Sequence, residues 1–90
     1  MQTKKFKILN ENGVHARTAT TLVNLCMSFS CEITLEAFKK TVDFKSIMGV
    51  MSLGIYQGTS IIVTTSGSDE QEAMDTITQK IIELNLGKEI

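Results

Sequence analysis

The sequence predicts an α+β fold, an open-faced β-sandwich in which a four-stranded, mostly antiparallel sheet carries three helices on one face. Three observations lead there. Alternating polar and apolar segments exchange with segments of helical apolar spacing in the order β-α-β-β-α-β-α. The connections between them are short, and no repeat, linker or low-complexity tract interrupts the 90 residues. Residues 1–90 therefore read as one domain.

Each element has its own signature. Thr3 to Leu9 alternates Lys5 and Lys7 with Phe6 and Ile8, as a strand with one dry and one wet face does. Asn10 to Gly13 breaks it. From Ala16 to Met27, Ala19, Leu22, Val23 and Cys26 recur at helical spacing, with Arg17, Thr20, Thr21 and Asn24 on the outer side. Cys31 to Ala37 and Thr41 to Phe44 alternate again and read as two strands joined by a turn around Lys39. Ser46 is placed to cap a short helix through Ser52 that ends near Gly54. Gly58 marks the next turn, and Ser60 to Ser66, rich in β-branched residues, forms the fourth strand. Ser68 and Gln71 stand at capping-box spacing before a last helix reaching about Leu84, whose stripe is Ala73, Met74, Ile77, Ile81 and Leu84.

Composition narrows the functions. A single modest core leaves little room for an enclosed cleft, so function belongs on the surface. With a net charge of -1 the chain lacks the basic stripe of a phosphate-backbone binder, and Lys4, Lys5 and Lys7 read as a solvated sheet edge rather than a nucleic-acid site. Cys26 and Cys31 have neither C-x-x-C spacing nor a second histidine, so they read as free, partly buried thiols and no metal is expected. No apolar run approaches the roughly 18 residues of a membrane span, and no signal-peptide core is visible, so a cytoplasmic location without membrane insertion is expected.

Two segments exceed what the fold requires. In Asn12-Gly13-Val14-His15-Ala16-Arg17, the only histidine sits where a loop enters a helix. A capping role is served better by Ser, Thr, Asp or Asn. Imidazole can instead act as nucleophile or proton carrier near neutral pH, and the helix N-terminus favours an anion. The backbone of Ala16, Arg17 and Thr18 would supply N–H donors, and Arg17 adds a permanent cation with planar donors. A phosphate fits this position. The second segment is Lys45 to Gly54. Successive helical residues point about 100° apart, so a helix of one and a half turns cannot bury Ile47, Met48, Val50, Met51 and Leu53 together. Flexible Met side chains on the exposed remainder suit a surface that accepts several partners.

With these segments the chain resembles HPr, the histidine-containing phosphocarrier family of the bacterial phosphoenolpyruvate-dependent sugar phosphotransferase system. The resemblance spans nearly the whole chain and rests on Gly13-Val14-His15-Ala16-Arg17, Lys45 to Gly54, Gln57-Gly58-Thr59 and Gly67-Ser68-Asp69-Glu70. It implies that His15 takes a phosphoryl group on Nδ1 from phosphorylated enzyme I and passes it to sugar-specific enzyme IIA proteins or domains, with Arg17 assisting. It further implies that Ser46 is the site of an ATP-dependent HPr kinase/phosphorylase, and that phospho-Ser46 weakens enzyme I docking while creating a surface for a catabolite-control transcription regulator. Thr20, Asn24, Ile47, Met48 and Met51 are the expected partner surface around His15, although Ile47 and Met51 are equally candidates for the core. The acting form is expected to be a monomer, a carrier rather than an independent turnover enzyme, with no cofactor.

One residue departs from that pattern. Where the family has proline after the arginine, this chain has Thr18. Proline early in a helix fixes φ and withholds an N–H, so Thr18 restores a donor and adds a hydroxyl. Hence a second reading: a regulatory interaction module acting through Ser46 without carrying phosphate. Intact His15 and Arg17 weigh against it. A ferredoxin-like metal or nucleic-acid binder would share the order of elements, but the C-x-x-C loop, paired aromatics and basic surface are missing.

Overall fold

A computed structural model describes residues 1–90. Its elements are β1 (Gln2–Ile8), α1 (Ala16–Met27), β2 (Glu32–Ala37), β3 (Lys40–Asp43), α2 (Ile47–Ser52), β4 (Ser60–Ser66), α3 (Glu70–Glu83) and β5 (Gly87–Glu89). The α+β class and the three helices are as expected, but the sheet has five strands, not four, in the order β3-β2-β4-β1-β5. All neighbours are antiparallel.

The additional strand arises from how α3 ends. Asn85 takes φ 53, the left-handed conformation that stops a helix, and buried Leu86 turns the chain back towards β1. Gly87 then lies opposite Ile8, where a Cβ would strike the Lys7 carbonyl. Because β5 pairs with β1, the lysine run is not an edge. Lys5 and Lys7 rise exposed from an interior strand, while Lys4, on the other face, reaches Glu89 at 3.5 Å.

Alternation sorts the strands as the pattern predicts. Phe6, Ile8, Ile33, Leu35, Ile61 and Val63 are buried and join one core with Ala19, Leu22, Val23 and Cys26 of α1 and Ala73, Met74, Ile77 and Ile81 of α3. Full burial of each large aliphatic chain contributes about 1.5–3 kcal/mol, so the stripes of α1 and α3 fix both helices to the sheet. Cys26 and Cys31 are free but fully buried rather than partly so. Burial pushes the Cys26 thiol up to about 12 and also raises Cys31, which keeps both protonated and unreactive. The β2–β3 turn is made by Phe38 and Lys39, both at positive φ (54° and 64°), the geometry that matches the twist of a two-residue hairpin.

The start of α3 differs from the expected capping box. Asp69, not Ser68, is the N-cap residue, and its side chain does not cap the helix. Its carboxylate reaches across 38 residues of sequence to accept hydrogen bonds from the Cys31 amide (2.9 Å), and also from the Ser30 amide (2.9 Å) and hydroxyl (3.2 Å). Glu70 takes the local role, accepting from the Gly67 amide at 3.1 Å. Asp69 thus ties the head of α3 to the entry of β2, and the Ser30 amide, followed by Cys31, holds its carboxyl down at about 2. A folded-state value below the unfolded value of roughly 3.9 stabilises the fold above that value and is lost as pH falls through the folded one. Asp69→Asn should therefore be less stable than the parent at pH 7 in urea unfolding, with the difference shrinking between pH 4 and pH 2. A difference unchanged over that interval would remove Asp69 as the source.

Candidate functional site

The loop leaving β1 is pinned before it reaches the histidine. Asn10 accepts twice, through Oδ1 from the Asn12 amide (3.1 Å) and through its carbonyl from the Gly13 amide (2.9 Å). Gly13 has φ 62, and a Cβ there would run into the Ile55 and Tyr56 backbone, so this close approach needs glycine. Val14 is buried and donates its amide to the Ile55 carbonyl at 3.1 Å. The chain is thereby held against the α2–β4 loop and enters α1 in a defined direction.

His15 is the N-cap residue of α1, with extended backbone (φ -92, ψ 178) and no side-chain capping bond. The first helical bond runs from the Ala19 amide to the His15 carbonyl at 2.9 Å. The amides of Ala16, Arg17 and Thr18 precede it and have no main-chain acceptor. The half-buried imidazole is anchored on one side only: Nε2 lies 3.1 Å from the Thr18 hydroxyl, while Nδ1 makes no hydrogen bond within the chain. Arg17 is exposed and pairs with no carboxylate. His15, Arg17 and Thr18 share a shallow recess of about 220 Å³ with Asn10, Thr21, Leu84 and Leu86. This is an open site in which the imidazole shares a recess with a cation and stands at a helix head with free amide donors, suited to holding a small anion.

The far wall of the recess was not foreseen. Leu84 and Leu86 come from the end of α3, remote in sequence, and they reach His15 because β5 pairs with β1. Only knowledge of that pairing would have found them. A larger recess of about 490 Å³ lies at the opposite end of the sheet, between Ser30 to Thr34 and Thr41 to Lys45. Its chemistry is spent: the Lys45 ammonium donates to the Phe29 carbonyl at 2.7 Å, and the Cys31 thiol is held protonated by burial. No group of residues in the structure has the makings of a metal site.

Ser46 is where the motif placed it, at the N-cap of α2, with its Oγ accepting from the Gly49 amide at 3.0 Å. Val50 and Leu53 turn into the core, while Met48 is 84% exposed and Ile47 and Met51 are also exposed. The structure therefore assigns Ile47 and Met51 to the surface rather than to core filling. Thr20 and Asn24 are exposed on α1, which packs against α2, and the Thr20 hydroxyl donates to the Ala16 carbonyl at 2.8 Å. Phe38 and Tyr56, which the pattern did not single out, stack with centroids 5.5 Å apart at the same end of the sheet as the His15 loop.

Residues 2–83 match the protein family described as the PTS HPr component phosphorylation site. Among solved structures, the histidine-containing phosphocarrier protein from Mycoplasma is 35% identical, with 96% of this chain and 98% of that chain aligned at a TM-score of 0.93. The phosphocarrier protein HPr from Bacillus anthracis is 41% identical over 84% of this chain and 90% of that one, at a TM-score of 0.79. Crh, the catabolite repression containing protein of Bacillus subtilis, is 35% identical over 86% and 88%, at 0.72, and was solved as a domain-swapped dimer. A match running from the first strand to the end of α3, joined to this agreement in fold, establishes that the chain belongs to the HPr phosphocarrier family of the phosphotransferase system.

Proposed function

We propose that His15 carries the phosphoryl group, accepting it from phosphorylated enzyme I and donating it to sugar-specific enzyme IIA proteins or domains in the cytoplasm. The observation that supports this most is the head of α1, where an imidazole with a free Nδ1 stands beside three unpaired amides and an unpaired arginine. Phosphoryl transfer asks the protein chiefly for alignment and for stabilisation of charge on the equatorial oxygens. The Ala16, Arg17 and Thr18 amides and the Arg17 guanidinium supply donors for those oxygens. No cofactor, metal or nucleic acid enters this reading, and no helix is long and apolar enough to cross a membrane. The acting form is taken to be the monomer, although Crh shows that a relative of this fold self-associates.

Thr20, Asn24, Ile47, Met48 and Met51 form the docking surface in this proposal. An exposed Met over a thin amphipathic helix can repack against unlike partners with little strain. Ser46 is the regulatory site, modified by an HPr kinase/phosphorylase. Phosphate there adds about -1.5 to -2 charges beside Ile47 and Met48, which opposes docking of an acidic apolar partner and favours a basic one, the catabolite-control transcription regulator.

A second reading has a specific observation behind it. The similarity to Crh and the replacement of the family proline by Thr18 fit a regulatory module that acts through Ser46 without carrying phosphate. The two readings part at His15.

Incubation with phosphoenolpyruvate and enzyme I, followed by mass spectrometry under alkaline conditions, should place one acid-labile phosphate on His15 and none on His15→Ala. An unlabelled His15 in a protein still phosphorylated on Ser46 would decide for the regulatory module. Ser46→Asp should slow His15 labelling, and equal rates for mutant and parent would remove Ser46 as a control point over enzyme I. Met48→Ala should change unfolding free energy by less than about 0.5 kcal/mol, because the side chain is exposed. The same change should weaken enzyme I binding roughly fivefold to thirtyfold in calorimetry, the loss typical of a contact that matters at an interface.

A further inference from the structure

Five threonines lie in the helices, and four of them behave alike. Thr20, Thr21, Thr76 and Thr78 each donate to the carbonyl four residues earlier, at 2.8, 3.1, 2.8 and 2.8 Å. Such back-bonding is the usual fate of a helical hydroxyl. Thr18 is the exception. Its buried hydroxyl meets the His15 ring at Nε2 instead, at 3.1 Å, and has no other partner in the structure.

A neutral imidazole carries one proton, and whichever nitrogen holds it donates while the other accepts. The bond to Thr18 is thus coupled to the state of Nδ1. If the hydroxyl donates to Nε2, the proton sits on Nδ1 and its lone pair is blocked. If Nε2–H donates to the hydroxyl oxygen, Nδ1 presents a free lone pair. The surroundings favour the second arrangement. The ring stands at the positive end of α1, where the Ala16, Arg17 and Thr18 amides lack main-chain acceptors and Arg17 adds a cation, an environment that favours a nitrogen lone pair over a further N–H.

We propose that Thr18 is a positioning residue for phosphotransfer, its hydroxyl accepting Nε2–H and so holding the ring in the tautomer that the helix head favours, with Nδ1 left as the nucleophile. The proposal rests on the carrier reading for its purpose, but the tautomer can be measured without it. In the transfer step the Nδ1 lone pair forms the N–P bond as the bond from phosphorus to the donor's nitrogen breaks, its electron pair leaving with the donor. The Nε2 proton stays on the ring, which becomes a phosphoimidazolium still bonded to the Thr18 oxygen. When the group moves on to an acceptor, the N–P bond breaks and the pair returns to Nδ1. Should the phosphorylated ring release its Nε2 proton, the same hydroxyl turns and donates to the nitrogen. Valine cannot do either, and proline, the family's residue here, offers no hydroxyl.

The test uses the full chain labelled with ¹⁵N-histidine, at a pH where titration shows the ring to be neutral. Long-range ¹H–¹⁵N correlation should find the proton on Nε2 in the parent. Thr18→Val keeps the shape and loses the hydroxyl, and should shift the tautomer ratio roughly threefold to tenfold towards Nδ1–H, the worth of one hydrogen bond. Thr18→Ser should restore the parent ratio. Phosphoramidate, a small donor that needs no protein partner, should then phosphorylate Nδ1 in the parent and Thr18→Ser, and react more slowly in Thr18→Val by a comparable factor. A parent ring with its proton on Nδ1, or a ratio unmoved in Thr18→Val, would overturn the proposal, and the parent measurement stands even if the valine variant fails to fold. An Nε2–H ring that enzyme I does not label would uphold the Thr18 contact and overturn the carrier reading alone.

Discussion

The placement of β1 between β4 and β5 is the constraint on which the site depends. Pairing on one side, from Gln2 opposite Thr65 to Lys7 opposite Ser60, brings the loop before β4 beside the end of β1. Pairing on the other brings the end of α3, since the Leu9 and Asn10 amides both donate to the Leu86 carbonyl. The histidine loop therefore leaves the sheet between two fixed walls. Gly13 and Val14 lean on Ile55, and the recess before His15 closes against Leu84 and Leu86. An exposed site of this kind has no cleft to preorganise it, so the alignment that the proposed transfer requires comes from the backbone register of a central strand.

Much of this was legible from the chain. Alternation in β1, β2 and β4 and helical spacing in α1 and α3 survive into the structure because each of those elements buries one face, and burial is what writes period into sequence. Ser46 was readable as a cap because its bond to Gly49 is local. What escaped was long-range. β5 has only three residues and only one of them, Gly87, is buried, so it leaves no pattern. The lysines of β1 looked like an edge because a strand's solvent face reads the same whether or not its sides are paired. Ser68 looked like a cap until the fold brought Ser30 and Cys31 to Asp69.

Shortness is what leaves α2 with an exposed apolar side. Six residues cannot wrap an apolar stripe around a core, so Val50 goes in and Met48 stays out, with Ile47 and Met51 between. Its fixed points are the Ser46 cap at one end and the Ile55–Val14 contact just beyond the other, the latter shared with the histidine loop. The proposed docking side chains and His15 are in this way set by one piece of backbone, and in the proposed regulation a charge at Ser46 would act on the approach of a partner without needing to move His15.

Exchanging proline for threonine at the third residue of α1 alters the kind of order the site has. Proline restricts φ in both folded and unfolded chains, a backbone effect of about 0.4–1 kcal/mol that says nothing about the imidazole. Thr18 gives up that restriction, adds an amide to the donors at the helix head, and returns a side-chain bond to the His15 ring. A hydrogen bond of similar net size, about 0.5–1.5 kcal/mol, now falls on the proposed nucleophile itself. Two solutions of comparable strength thus order different things: one the helix that presents the histidine, the other the imidazole itself.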